Sequence, residues 1–280
     1  MNLNLTHIIS FCKGVFHGNS TEFTASHISI DSRSLHNGNN TLFFAIKGQN
    51  HDAHLYLEEL IAKGVRYFVV EYIPEHVYEK ANFIIVENSL KALHQTAIGY
   101  RKQFDFPFVG ITGSNGKTIV KEWLNFLLSP NHLIVRNPKS YNSQVGVPLS
   151  ILAIEGNYDL GIFEAGISLP NEMSNLEHII QPKFGILTNI GSVHDEGFAN
   201  REAKIKEKIQ LFKNCSDIFL EKNTEIEVLL PENSQKQTWS FSDESANLFV
   251  SKKNDNGKTE LTFKNATNTF SVNIPFSDEN

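Results

Sequence analysis

Cysteine is scarce in this chain: Cys12 and Cys215 are the two present in 280 residues, and their separation matches no metal-ligand spacing. That excludes a disulfide framework or a cysteine zinc site and points to two buried thiols in a reducing cytoplasm. Long apolar runs are missing too, and none approaches the ~18 residues of a membrane span. No basic segment followed by an apolar core opens the sequence, so a secretory signal is not expected. Positive charge is in deficit, with 25 Lys and Arg against 31 Asp and Glu and a formal net charge of -6. Without a basic stripe, no nucleic-acid partner is expected. What remains is an ordinary globular composition, 40% hydrophobic and 20% charged, at a length that suits about two domains.

The most informative stretch is Gly110-Ile111-Thr112-Gly113-Ser114-Asn115-Gly116-Lys117-Thr118, which follows the apolar run Phe106-Pro107-Phe108-Val109. A strand feeds a glycine-rich turn, and the turn opens a helix. Gly113, Ser114, Asn115 and Gly116 let backbone N–H groups close around phosphates, and the helix N-terminus favours negative charge. Lys117 is placed to reach the β/γ-phosphates of a nucleoside triphosphate, and the Thr118 hydroxyl to ligate Mg²⁺. The strict P-loop carries glycine where this chain has Ile111, so the loop is not that of a generic GTPase or ATPase. Two apolar rows support the helix, one of Ile119, Trp123 and Leu127 and one of Val120, Leu124 and Leu128.

Periodicity upstream predicts a small α/β unit. Residues 42–46, 65–70 and 83–86 read as strands, and residues 52–63 as a helix with Leu55, Leu60 and Ile61 facing inward. A second helix over residues 90–104 carries Leu93, Ala97 and Tyr100. The expected division is an N-terminal domain of residues 1–105 and a central domain of residues 106–280. Downstream, apolar runs at 133–135, 160–163 and 184–187 alternate with helical patterns at 147–153 and 171–180. This rhythm predicts a mostly parallel sheet with helices on both faces. From residue 217 short strands and turns follow, with Asp255-Asn256-Gly257 as a hairpin signal, so extra antiparallel strands are expected there.

In parallel sheets, ligands sit beyond the carboxyl ends of the strands. Glu164 ends one such run and offers a carboxylate to Mg²⁺ beside the phosphates. Thr188-Asn189 ends the next, and His194 follows as a candidate metal or phosphate contact, although Mg²⁺ prefers oxygen. The lysine-rich helix over residues 201–212 reads as a solvated face for Lys204 and Lys206, while periodicity leaves Lys208 open.

Residues 111–118 with Lys121-Glu122, the segment Asn142-Ser143-Gln144-Val145-Gly146-Val147-Pro148-Leu149, and Thr188-Asn189-Ile190-Gly191 followed by His194, Glu196-Gly197-Phe198 and Arg201-Glu202-Ala203 together resemble a Mur ligase. Those are the ATP-dependent amide-forming enzymes of peptidoglycan synthesis, and several ordered motifs over about 200 residues make chance similarity improbable. The resemblance is greatest to the branch that joins D-alanyl-D-alanine to UDP-MurNAc-tripeptide. It implies that the substrate carboxylate attacks the γ-phosphate of ATP, and that the amine of D-alanyl-D-alanine then displaces phosphate from the acyl phosphate. It implies catalytic roles for Lys117, His194 and Lys208, with Lys208 matching a lysine that some Mur ligases carry as a carbamate. Thr118 and Glu164 would hold one Mg²⁺, His194 would contact a second, and Asn189 would line the nucleotide site. Asp31, Ser32, Arg33, Gly48, Asp52, His54 and Asn142 would receive the UDP-linked substrate.

The sequence also departs from the pattern. Ile119 and Val120 stand where relatives carry hydroxyl residues, Ala53 stands for a usual glycine, and residues 164–169 lack an Asn-His pair. Mur ligases carry a third domain, so the expectation is a fragment of a longer ligase, in which a fusion to an alanine racemase domain would also continue past Asn280. Three alternatives stay open: a sibling ligase that adds a diamino acid, a P-loop switch or nucleotide-binding module, and a non-catalytic relative that binds the UDP-sugar. Glu221-Lys222-Asn223-Thr224 is not the guanine-reading motif that a GTPase requires.

Overall fold

The computed structural model describes residues 3–33, 35, 38–48, 50–191, 198, 200–255 and 258–275. The chain begins with β1 (Leu3–Asn4), α1 (Leu5–Cys12), β2 (Val15–His17), β3 (Thr24–Ala25), β4 (His27–Ser29) and β5 (Thr41–Phe44). Next come α2 (Leu57–Ala62), β6 (Tyr67–Val70), β7 (Asn82–Ile85) and α3 (Ser89–Arg101). The P-loop region supplies β8 (Phe108–Thr112), α4 (Lys117–Leu128) and β9 (Ile134–Arg136), followed by α5 (Gly146–Leu152) and β10 (Leu160–Glu164). Then follow α6 (Glu172–Ile180), β11 (Phe184–Leu187), α7 (Arg201–Lys208), β12 (Asp217–Glu221) and α8 (Thr224–Glu227). The final elements are β13 (Gln235–Ser240), β14 (Leu248–Asp255), β15 (Lys258–Lys264) and β16 (Thr269–Ile274).

Two compact units result. The first holds Met1–Phe106 together with Val135–Tyr158 and His178–Ile180, and the second holds Pro107–Ile134, Asp159–Glu177 and Gln181–Asn280. The first unit thus ends its main run at Phe106 and also takes in the segment that carries α5.

In the first unit the sheet order is β2-β7-β6-β5-β4, with β4 to β7 parallel and β2 antiparallel at the edge. Strands β5 and β6 are buried along their whole length, as parallel strands covered on both faces must be. Phe43, Phe68 and Phe83 form the centre of the core, with Leu57, Leu60 and Val65 against them. The helix expected over residues 52–63 begins instead as a 3-10 turn, Ala53–Tyr56. Three residues per turn shift the face, so Leu55 lies 78% exposed, contrary to expectation, and Leu57 takes its place in the core. Asn88 caps α3 by accepting from Lys91 N–H, and Leu93, Ala97 and Tyr100 are buried as the periodicity predicts.

In the second unit the order is β16-β15-β14-β13-β12-β11-β8-β10, with β9 entering at the far edge through Ile134. The parallel run extends from β10 through β8, β11, β12 and β13 to β14, and the antiparallel strands are β15 and β16. The protein is therefore mixed α/β, with mostly parallel sheets and antiparallel strands added at one edge. The parallel part continues past residue 217 through β12 and β13 to β14, and β15 and β16 are the extra antiparallel strands. The ends Asp255 and Lys258 pair as a hairpin, and the turn residues 256 and 257 lie outside the described residues.

Helix α4 packs Val120 and Leu124 onto Val109, Ile111 and Ile162. The other row, Ile119, Trp123 and Leu127, is exposed, because a helix lying on a sheet turns only one face to it. On α7, Lys206 pairs with Glu202 in solvent as expected, whereas Lys204 is buried and does not belong to a solvated face. Cys12 and Cys215 are both buried free thiols, and burial pushes the Cys215 thiol up to about 12.

Candidate active site

Strand β8 ends at Thr112, and the loop of residues 113–116 turns directly into α4. The turn is built from two glycines in conformations that L side chains rarely adopt, Gly113 at φ +148° and Gly116 at φ +78°. At Gly113 a Cβ would stand 2.0 Å from Thr188 Oγ1, so the loop runs tight against the end of β11. At Gly116 space is open, and conformation alone sets the requirement.

The loop is stitched to the chain beyond β11. Ser114 N–H donates to Asn189 O at 2.8 Å, and Asn115 N–H to Asn189 Oδ1 at 2.9 Å. Thr188 Oγ1 donates to Asn115 O at 2.6 Å, and Gly191 N–H to Ser114 Oγ at 3.0 Å. Asn189, expected to line the nucleotide site, thus braces the loop through both backbone and side chain. A cavity of about 120 Å³ opens beside it, between the ends of β11 and β12.

The charged groups converge on this loop. Lys117 Nζ donates to Gly113 O at 3.0 Å and to Ser114 O at 3.2 Å. Lys208, buried at the end of α7, donates to the same Gly113 O at 3.2 Å. Two ammonium groups sharing one carbonyl create a concentrated positive field at a helix N-terminus, which an anion would offset. Thr118 Oγ1 donates to Glu164 Oε2 at 2.8 Å. Glu164 ends β10 opposite Ile111 of β8, and its side chain is wholly buried. A hydroxyl and a carboxylate side by side form an oxygen donor pair of the kind Mg²⁺ takes, with phosphate oxygens and water completing the shell. No cluster of three or more His, Cys, Asp and Glu suited to a metal occurs among the described residues. His194 lies outside them.

Sequence reasoning used Lys121 only as part of a motif and missed its placement. Its side chain is wholly buried on α4, with Nζ 3.8 Å from Glu164 Oε1 and 3.4 Å from Glu122 Oε1. The available signal was its position, one helical turn beyond Lys117.

In the first unit, Asp31, Ser32 and Arg33 line a cavity of about 460 Å³ together with Phe43, His51 and Tyr56. The Arg33 guanidinium grips Asp31 in a fork, Nε to Oδ1 at 3.0 Å and Nη2 to Oδ2 at 3.1 Å. That fork holds the Asp31 carboxyl below the usual carboxylate range. Gly48 lies outside this lining, in a turn where its N–H donates to His51 O at 2.7 Å. Asn142, whose N–H donates to Ser140 O at 2.8 Å, sits beside a second cavity of about 540 Å³ lined by Ser29, Asp31, Tyr141 and Ser143.

Asp52 and His54 are placed differently. His54 is buried, its Nδ1 lies 2.6 Å from Asp52 Oδ1, and its Nε2 accepts from Glu71 N–H at 2.9 Å. The proton therefore sits on Nδ1, and both ring nitrogens have partners within the fold. Tyr72 stacks on the imidazole at 4.3 Å and donates to Asp52 Oδ2 at 3.0 Å. Burial pushes the Asp52 carboxyl up, but the hydrogen bonds from His54 and Tyr72 outweigh it and leave the group below its ordinary value.

Comparison with known proteins places the chain in a family. A family model of the Mur ligase middle domain matches residues 111–277. The UDP-N-acetylmuramoyl-tripeptide–D-alanyl-D-alanine ligase of Borreliella burgdorferi is 33% identical over 234 residues, covering 79% of this chain and 50% of that protein. The Treponema pallidum protein of the same name is 32% identical over 199 residues, covering 68% of this chain and 43% of its own length. The chain thus spans about half the length of the curated relatives it matches. Among solved structures, MurF from Acinetobacter baumannii superposes with a TM-score of 0.88 at 21% identity, covering 100% of this chain and 62% of that one. MurF from Thermotoga maritima, solved with ADP, gives 0.79 at 24% identity, covering 89% and 58%. These structural likenesses show the fold. The family match alone takes in more than half of the sequence, and with relatives a third identical over most of it, the chain belongs to the Mur ligase family.

Proposed function

We propose that this chain forms the ATP-binding and UDP-substrate-binding parts of a ligase that joins D-alanyl-D-alanine to UDP-MurNAc-tripeptide. The observation that carries the reading is the convergence of Lys117 and Lys208 on Gly113 O, beside the Thr118–Glu164 pair. Such a site suits phosphoryl transfer, where positioning and charge neutralisation do most of the catalysis. The relatives' names supply the acceptor and donor, and the oxygen donors fit Mg²⁺.

On this reading the substrate carboxylate attacks the γ-phosphorus of ATP and ADP leaves. The amine of D-alanyl-D-alanine then attacks the acyl phosphate, loses a proton and expels inorganic phosphate. Lys117 and Lys208 bring positive charge to the transferring oxygens, and the loop amides orient the phosphate chain. Thr118 and Glu164 would hold Mg²⁺, which when bound would neutralise charge on the phosphate oxygens. Asn189 fixes the loop that makes the cradle. The cavity at Asp31, Ser32 and Arg33 receives the UDP end, with Asn142 beside the neighbouring cavity. A second Mg²⁺ contact by His194 belongs to the same proposal; carbamylated, Lys208 would instead exchange its positive charge for a carboxylate that offers oxygen to the metal. No described helix is long and apolar enough to cross a membrane, and the buried free thiols suit a reducing cytoplasm.

Thermal-shift titrations with Mg²⁺-ATP, Mg²⁺-GTP and UDP-MurNAc-tripeptide test this, since ligand binding to the native state raises the melting temperature. The expected result is stabilisation by the UDP-peptide and by ATP over GTP, with only the ATP effect lost in Lys117→Ala. A nucleotide response with none to the UDP-peptide would point to a different ligase or to a binding module.

A further inference from the structure

Lys121 has no part in the reaction just described, yet its ammonium is buried at the edge of the site. An ammonium withdrawn from water is retained only against compensating negative charge. Two carboxylates stand near it. Glu122 Oε1 is closer at 3.4 Å, but that side chain is 43% exposed and its charge is screened by solvent. Glu164 Oε1 is at 3.8 Å, and both partners of that pair are 0% exposed, so their attraction acts in a low dielectric. The second Glu164 oxygen, Oε2, accepts from Thr118 at 2.8 Å. The two oxygens of one carboxylate are thus addressed by different residues of α4: Thr118 in its first turn, and Lys121 one turn along.

We propose that Lys121 is a positioning residue, the built-in counter-charge of Glu164. It holds the carboxylate between α4 and β10 and competes with Mg²⁺ for the same negative charge, which keeps the hold on the metal loose enough for release. The proposal rests on the reading of Glu164 as the Mg²⁺ contact. A residue that only fills space would have no such effect, because methionine fills nearly the same volume without charge.

The test is a Mg²⁺ titration of the chain with ADP held constant, read by calorimetry, in wild type, Lys121→Met, Lys121→Arg, Glu164→Gln and the double variant Lys121→Met/Glu164→Gln. Lys121→Met is expected to bind Mg²⁺ about tenfold more tightly, because a charge 3.8 Å from the carboxylate is gone. Lys121→Arg, which keeps the charge, is expected within about threefold of wild type. In the Glu164→Gln background the lysine substitution should change Mg²⁺ affinity by less than about twofold. Unchanged or weaker Mg²⁺ binding in Lys121→Met, with Glu164→Gln weakened, would overturn the counter-charge proposal and leave the metal reading standing. Unchanged binding in Glu164→Gln would overturn both. Should Lys121→Met fail to fold, the double variant is expected to recover folding, since an ion pair neutralised together leaves no orphaned charge. Failure of that recovery would count against the pairing.

Discussion

Each unit sets a carboxylate among polar partners near the end of a strand or turn, Glu164 wholly buried and Asp52 22% exposed, and the two arrangements serve opposite ends. In the first unit, Asp52, His54, Tyr72 and the backbone of Glu71 form a closed circuit, in which both imidazole nitrogens and both carboxylate oxygens have internal partners. In the second unit, Glu164 and Thr118 stand beside a loop whose carbonyl is gripped by two ammonium groups, Lys117 and Lys208. The closed circuit spends its hydrogen bonds on the fold. The open one accumulates like charge that a phosphate would offset, and loop carbonyls serve as partners that a ligand can replace. A carboxylate beside polar residues therefore says little by itself, and what distinguishes the second site is the pair of ammonium groups drawn to one loop carbonyl.

The contrast is most strongly tested by His54→Phe, which keeps the ring stacked on Tyr72 but removes both nitrogens. It should cost about 2–4 kcal/mol in urea unfolding, because Asp52 and the Glu71 N–H lose buried partners. Nucleotide affinity should hardly change. A large loss of nucleotide binding with unchanged stability would reverse the assignment of the two regions.

Lys208→Met should do the converse. It should lower Mg²⁺-ADP affinity by about tenfold, or roughly 1.4 kcal/mol, while leaving the unfolding midpoint of the ligand-free chain near wild type. Titration calorimetry and urea melts on the same sample separate the two effects. A large stability loss would make Lys208 part of the scaffold rather than of the site.

A smaller effect is expected from pH. The Asp52 carboxyl is held below its ordinary value of 3.8, so the folded state binds its proton less readily than the unfolded chain. The stabilisation is complete above that ordinary value and is lost as pH falls from there through the folded value. Comparing acid unfolding of wild type with that of Asp52→Asn should show this part of the pH dependence disappear. Identical acid profiles would mean that the circuit does not hold the carboxylate charged.

How much of this could be read from the sequence depended on burial geometry. The parallel strands were legible because strands covered on both faces are continuous apolar runs, as at residues 160–163 and 184–187. The P-loop was legible because phosphate cradles demand glycine at fixed offsets, which Gly113 and Gly116 satisfy. Helix faces were less so. Two apolar rows ran along α4, and periodicity could not say that the sheet would take Val120 and Leu124 and leave Trp123 to solvent. Leu55 was misplaced because a 3-10 turn has no distinct signature of its own. Lys121 and Lys204 escaped because a lysine on an amphipathic helix reads as surface, and only the three-dimensional placement shows burial. The closed nature of the Asp52–His54 circuit depends on Glu71 and Tyr72, distant in sequence, and no local pattern announces it.

The weakest test concerns that exposed row. Trp123→Ser should change stability by less than about 0.5 kcal/mol, because the indole is 67% exposed and packs little. A loss of several kcal/mol would show that the face is covered in solution.

The central claim is that the ammonium of Lys117, now held by loop carbonyls, belongs to a nucleotide's phosphates. Titration calorimetry of Mg²⁺-ADP into wild type and Lys117→Ala measures it directly. The account predicts at least about a thirtyfold loss of affinity, roughly 2 kcal/mol, with folding intact by circular dichroism. Equal affinities in the two proteins would contradict it.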